Sequence, residues 1–273
     1  MPQDSSEYMY PVVELFGKTI GLYPILSLLG MFASGLFCCF MAKKRGLDSN
    51  DMIVLLLIAG IGVFLGGSLL YACVSLNDSL KVIPSGFQVD SPQKLFALVR
   101  LIFGGSVFYG GLLGGMAAGL IYLRKKRLPI RQFTDIAAPA IPLFHAFGRI
   151  GCFLGGCCYG TECNIGFIYT NSLVESANGV RRFPVQLLEA AFNLLLFLLL
   201  WRLLRRRKSG LLRWYLLFYS FGRFFLEFFR GDAYRGQMLG LSTSQIIGLL
   251  ILTGLGLSLV FRRIFVKNSS AQT

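Results

Sequence analysis

Residues 142–160 read Pro142-Leu-Phe-His-Ala-Phe-Gly-Arg-Ile-Gly-Cys-Phe-Leu-Gly-Gly-Cys-Cys-Tyr-Gly160, and this stretch decides how the rest of the chain is read. It begins as an apolar helix, yet it holds the only histidine, His145, then Arg149 and three of the seven cysteines. Five glycines, Gly148, Gly151, Gly155, Gly156 and Gly160, interrupt it. An arginine inside an apolar segment costs several kcal/mol unless something pairs with it, so it marks a functional site first. Glycines beside it let the backbone bend or a ligand approach closely. The plain alternative is a broken helix packed through small residues.

The stretch sits in a chain that is 55% hydrophobic and only 15% charged, where a soluble domain carries about a quarter charged residues. Apolar runs of about 18 residues or more recur, which defines a polytopic, all-α membrane protein with one integral domain over residues 1–273. Seven spans are expected, at about 20–42, 52–75, 96–123, 133–154, 183–201, 214–229 and 243–261, with polar loops near 76–95 and 161–182. Residues 1–16 hold no Lys or Arg, unlike the start of a signal peptide. The net charge of +14 raises nucleic acid as a partner, but its placement argues against one. The loops after the first, third and fifth spans and the tail carry three, five, six and three basic residues. Such clusters report topology: they put the N-terminus outside and the C-terminus in the cytoplasm.

With that topology the polar residues of the spans gather in the outer half of the membrane. Tyr23 follows the start of the first span, and Arg149 and Cys152 lie near the outer end of the fourth. Gln186 and Glu189 open the fifth; Arg223, Glu227 and Arg230 close the sixth. Arg223 and Glu227 are four apart and can pair on one helix face. An internal ion pair that holds the bundle is the structural alternative. Several arginines with few acids make a binding place for an anion, and phosphate matches the arginine fork. An anion at that depth is a lipid headgroup. The run Tyr109-Gly-Gly-Leu-Leu-Gly-Gly115 is a small-residue face for close helix approach, or a segment that unwinds beside a ligand. Ser244 and Gln245 read as cap and packing residues.

Cys38, Cys39 and Cys73 fall in apolar helices and read as packing residues. Cys152, Cys157, Cys158 and Cys163 form C-x4-CC-x4-C, which is not a standard zinc spacing. A metal site that includes His145 and a disulfide in an oxidising outer loop both stay open, and no metal or cofactor is assigned.

Four motifs carry a resemblance across nearly the whole chain. They are F-Y-G-G-L-L-G-G at 108–115, G-R-I-G-C-F-x-x-G-C-C-Y-G at 148–160, R-x-P-x-Q-x-x-E at 182–189, and Y-S-F-G-R-F-F-L-E-F-F-R at 219–230. In this order they resemble the prolipoprotein diacylglyceryl transferases, and Tyr23 matches a tyrosine of that family's first span. The resemblance implies transfer of the diacylglyceryl group of phosphatidylglycerol to the lipobox cysteine thiol of prolipoprotein signal peptides. Glycerol phosphate would be released at the outer face of the bacterial cytoplasmic membrane. It also implies that Arg149 and Arg223 hold the phosphate and stabilise charge on it as it leaves. Glu227 would orient Arg223, Tyr219 and Tyr23 would line the lipid cavity, and Gly160 falls on a signature glycine. Gln186, Glu189 and Arg230 belong to the same expected substrate site. The expected partners are membrane lipids and prolipoproteins, with no cofactor, and the expected state is a monomer.

The departures fall beside the chemistry. Many family members have a histidine where this chain has Tyr109, N-F-x-N-x-E where it has Cys152-Phe-Leu-Gly-Gly-Cys157, and G-G-R where it has Gly66-Gly67-Ser68. The sole histidine stands four residues before Arg149. His145 is therefore the expected base, with Tyr109 completing a hydrogen-bond chain to the thiol, since imidazole titrates near pH ~6.5 and phenol near ~10. A packed histidine bonded to a carbonyl is the structural alternative. The rival functions are a paralogue with the same donor and another acceptor, a lipid or anion transporter, and a structural membrane subunit.

Overall fold

The computed structural model describes residues 8–9, 12–15, 18–83, 89–170, 172, 174–231, 237–238 and 240–270. Eight helices dominate them: α1 (Leu22–Lys44), α2 (Ser49–Val82), α3 (Pro92–Phe103), α4 (Phe108–Lys125), α5 (Ile130–Leu154), α6 (Val185–Arg205), α7 (Leu211–Leu226) and α8 (Thr243–Ser270). Short strands fill the connections: β1 (Tyr8–Met9), β2 (Val12–Leu15), β3 (Lys18–Gly21), β4 (Glu162–Tyr169), β5 (Arg181–Arg182), β6 (Gln237–Met238) and β7 (Leu241–Ser242). The chain divides into two compact units, one of residues 1–38 with 134–273, the other of residues 39–133.

Among the described residues, four helices are long and apolar enough to cross a membrane: Leu22–Lys44, Ser49–Leu76, Ile130–Leu154 and Val185–Arg205. Their faces are arranged as lipid requires. On α6 the fully buried face begins with Gln186, Glu189 and Asn193 and continues with Leu196, Leu200 and Leu204, while Leu195 and Leu198 are exposed. On α1, Leu28, Leu29, Phe32, Leu36 and Phe40 are likewise exposed. Polar groups inside and apolar groups outside invert the order seen in water, where an amphipathic helix turns its apolar stripe inward.

In the larger unit, side-chain donors tie helices to backbone acceptors. Ser34 Oγ donates to the Ala140 carbonyl at 3.2 Å and Cys38 Sγ to the Ile136 carbonyl at 4.0 Å. These partners are one turn apart on α1 and on α5, the helix that contains Pro139 and Pro142. Asp135 of α5 accepts from the Leu211 N–H at 2.8 Å and so satisfies an orphan donor at the start of α7. The segment from 161 to 182, expected as a loop, is a small sheet in the order β1-β4-β5: β1 runs parallel to β4 with Tyr8 beside Ile168, and β4 antiparallel to β5 with Ile168 beside Arg181. Phe153, Tyr159, Tyr169 and Ala177 form the apolar cluster that connects this sheet to the end of α5.

In the smaller unit, α2 and α4 meet backbone to backbone. A Cβ added at Gly66 or Gly110 would strike the carbonyl oxygen of the other, and one at Gly114 would strike that of Gly62. The small-residue face at 108–115 is thus helical and packed, and only glycine permits the approach. The expected third span, 96–123, is not one helix. It breaks between Phe103 and Phe108, because the Val107 N–H leaves the helical pattern to bond the Gly67 carbonyl of α2 at 3.1 Å. Gly105 lies against the Tyr71 ring, where a side chain has no room. The second helix also runs past its expected end, to Val82.

Gly114→Leu is therefore expected to destabilise the protein by at least ~1–3 kcal/mol, the usual cost of overpacking. Gly60→Ala, where nothing lies within 4 Å of the added Cβ, should leave the melting temperature in detergent unchanged or raise it.

Candidate active site

Three segments of the larger unit deliver charged side chains to one buried place. His145 and Arg149 lie four apart on α5 and share a face. Glu189 comes from the buried face of α6. Arg223 ends α7, Glu227 opens the 3₁₀ turn that follows, and Arg230 lies in the extended backbone beyond it.

Glu189 is the hub, with a side chain that is 0% exposed. Its Oε1 lies 3.0 Å from Arg149 Nε and 4.0 Å from His145 Nε2. Its Oε2 lies 3.9 Å from Arg223 Nη1 and 3.8 Å from Arg230 Nη1. Arg223 Nη2 pairs with Glu227 Oε2 at 2.6 Å, the contact that the four-residue spacing predicts. Among the described residues, three guanidinium groups thus face two carboxylates. Arg149 Nε, though 3.0 Å from Glu189 Oε1, makes no hydrogen bond in good geometry, and Arg223 Nη1, at 3.9 Å from Oε2, is too far for one. Glu189 therefore balances the cations without saturating their donors. An anion with several oxygens fits such a place.

The supporting contacts come from residues around the hub. Asn193 Nδ2 donates to the Glu189 carbonyl at 2.8 Å, one turn along α6. The Tyr219 ring lies 5.3 Å from His145 and stacks on Tyr215 at 5.4 Å. Gln186 Nε2 donates to the Cys157 carbonyl at 2.9 Å and to the Tyr169 hydroxyl at 3.2 Å, so this residue holds the cysteine loop. Burial pushes the Tyr169 hydroxyl well above its ordinary pKa, which keeps it neutral. Gly160 acts through its backbone, which bridges Arg230 in antiparallel fashion, flanked by Gly231 N–H to Tyr159 O and Thr161 N–H to Phe229 O, both 3.0 Å. A side chain there would collide with the Phe183 carbonyl.

Tyr23 is half-exposed and packs against Gly151, where an added Cβ would lie 3.2 Å from the ring. Tyr109 is on α4, and its side chain lies outside the described residues. The disulfide considered for the outer loop is not formed in this structure, where no cysteine is joined to another. The sequence reading does not single out Asn193 and Tyr215, and it gives Arg182 only as the opening of a motif. Arg182 stands 4.2 Å over the Tyr159 ring and donates to the Ser176 carbonyl at 2.6 Å. The signals were present in the four-residue spacings Glu189–Asn193 and Tyr215–Tyr219 and in the arginine that opens the third motif.

The profile of the family described as prolipoprotein diacylglyceryl transferase matches residues 11–261. The chain belongs to this family. It is similar to a phosphatidylglycerol–prolipoprotein diacylglyceryl transferase of Clostridium tetani, with 36% identity over 246 residues, 88% of this chain and 93% of the relative. A second enzyme of that description from Clostridium perfringens shares 32% over 245 residues, 88% and 90% of the two chains. One from Geobacter sulfurreducens shares 35% over 251 residues, again 88% and 90%. The motifs that place this chain in the family contain Arg149, Glu189, Arg223, Glu227 and Arg230, the members of the buried charge cluster.

Loss of the hub leaves buried guanidinium groups uncompensated. Glu189→Gln is expected to cost about 3–5 kcal/mol, as removal of one partner from a buried ion pair does. The check is the melting temperature in detergent against Arg202→Gln on the exposed part of α6, which should stay within ~0.5 kcal/mol of the wild type.

Proposed function

We propose that this protein transfers the diacylglyceryl group of phosphatidylglycerol to the lipobox cysteine thiol of prolipoproteins, the first step of bacterial lipoprotein maturation. The observation that carries this reading is the convergence of three buried guanidinium groups, Arg149, Arg223 and Arg230, on Glu189. Arg149, Arg223 and Arg230 hold the phosphate of the lipid, with Glu227 fixing the Arg223 fork. The substrate sulfur attacks the diacylglyceryl carbon that bears the phosphate ester. The carbon–sulfur bond forms as the carbon–oxygen bond breaks, and glycerol phosphate leaves with the electron pair. The arginines stabilise the charge that develops on it. His145 takes the thiol proton, held in place by the Glu189 carboxylate and the Tyr219 ring. Tyr23 and Tyr219 line the lipid chains.

The geometry is compatible with seven crossings: α1, α2, the α3–α4 pair, α5, α6, α7 and α8. Basic clusters at the ends of α1, α4 and α6 support a cytoplasmic position for those ends. The chain would then act as a monomer in the cytoplasmic membrane, with the charged cluster toward the outer leaflet.

The test is transfer by purified protein in detergent, with phosphatidylglycerol and a synthetic lipobox peptide, read as peptide mass and released glycerol phosphate. The wild type should add one diacylglyceryl unit. Arg149→Ala should lose about 10²–10³-fold in rate, the usual effect of removing one group that stabilises developing charge. His145→Gln should lower the rate about 10²–10⁴-fold, the usual contribution of a positioned general base. Absence of the mass gain from folded wild type refutes the transferase reading, and full activity of His145→Gln refutes the base.

A further inference from the structure

The anion site leaves the cysteines without a role. Cys152 lies in the last turn of α5, and Cys157 and Cys158 lie in the loop that follows. Their three Sγ atoms all lie within 4.8 Å of one another. Cys163 stands apart, with its thiol turned to the Ile165 carbonyl at 2.6 Å. Among the described residues this is the single grouping of three or more metal-ligating side chains, and it contains sulfur alone.

The loop that makes the cluster is built under constraint. Cys158 has φ +57, a left-handed conformation that costs a non-glycine residue about 1–3 kcal/mol and persists where surroundings impose it. Gly156 has φ +69, and an added Cβ there would strike Ser172, whose Oγ donates to the Gly156 carbonyl at 3.1 Å. The Cys157 backbone is pinned on both sides, its N–H to the Cys152 carbonyl at 3.1 Å and its carbonyl to Gln186 at 2.9 Å. These bonds hold three sulfurs together where a relaxed loop would spread them.

The dimensions suit one ion. Three thiolates at a zinc–sulfur distance of ~2.3 Å stand roughly 3.8–4.0 Å from one another, which lies within the 4.8 Å that bounds the observed cluster. An all-sulfur donor set excludes magnesium and calcium, which require oxygen, and selects thiophilic cations. Charge favours a divalent ion: three thiolates with a dication carry one net negative charge, and Arg149 and Arg230 both act electrostatically on Cys158. Cys152 is buried and the other two are partly exposed, so the ion has a way in and an open fourth position.

We propose that Cys152, Cys157 and Cys158 form a three-thiolate site for a thiophilic divalent cation, with zinc as the occupant that the donor set selects. Each thiol gives its proton to solvent as its metal–sulfur bond forms. The bound ion fixes the loop after α5, and through the Gly160–Arg230 bridge it steadies the segment that carries Arg230.

The experiment uses the full chain in detergent, reduced and free of chelator, titrated with Zn²⁺ and with Cd²⁺ as a spectroscopic probe. The expected result is one ion per chain by elemental analysis, ultraviolet thiolate-to-cadmium absorption, and a melting temperature raised by Zn²⁺. Cys163→Ser should keep all three signals. Cys157→Ser should weaken binding at least tenfold and lose the thermal shift, and the triple serine variant should bind no ion. If the triple variant fails to fold, Cys157→Ser alone decides, with its fold checked by its melting transition. Equal binding by wild type and Cys157→Ser overturns the proposal. So does failure of the wild type to bind either ion once alkylation and peptide mass show all three cysteines reduced.

Discussion

A carboxylate with no exposure to solvent holds this site together. Glu189 cannot stay ionised in a buried place unless cations surround it, and Arg149, Arg223 and Arg230 cannot stay buried unless an anion does. Each side is costly alone, and together they are stable only if α5, α6, α7 and the backbone after α7 meet at one point. Apolar contacts with lipid do little to choose among helix arrangements, since the tails are as apolar as leucine. The charged cluster does choose, because every displaced member leaves a buried charge behind. The same constraint concentrates charge: among the described residues, three guanidinium groups and two carboxylates share one buried place.

The loop after α5 is the second element on which the site depends. It is rich in cysteine, and it is tied to the charge cluster from two sides. Gln186, one turn before Glu189, holds the Cys157 carbonyl, and Gly160 pairs with the Arg230 backbone. Whatever stiffens this loop acts on the arginine segment as well. The three thiols lie at the position best placed to do so.

The smaller unit obeys a different rule. Its two main helices carry no buried charge cluster among the described residues and depend on glycine for their close approach. Van der Waals contact between backbones is weak per atom, but it is lost at once when a side chain intrudes. Polar contacts there are local to the ends, such as the Tyr122 hydroxyl donating to Asp51 at 2.9 Å.

The amino-acid sequence by itself determined the class of the protein, the set of charged residues and the contacts that lie within one helix. Long apolar runs and basic clusters follow from composition, and Arg223–Glu227 follows from a spacing of four. Only the tertiary structure decided what depends on packing between segments. Glu189 read as one polar residue among several, and its place as the hub arises because α5, α6 and α7 converge on it. Gly160 and Gln186 read as members of the substrate site; only the fold reveals their own bonds, Gly160 to the Arg230 backbone and Gln186 to the Cys157 carbonyl and the Tyr169 hydroxyl. The third span read as continuous, because nothing local reveals that Val107 turns its N–H to the Gly67 carbonyl of another helix. The cysteine spacing matched no metal pattern, because a left-handed residue and a glycine turn bring the sulfurs together in a way that spacing does not encode. Helical periodicity reaches about one turn along the chain; convergence between segments is a property of the fold.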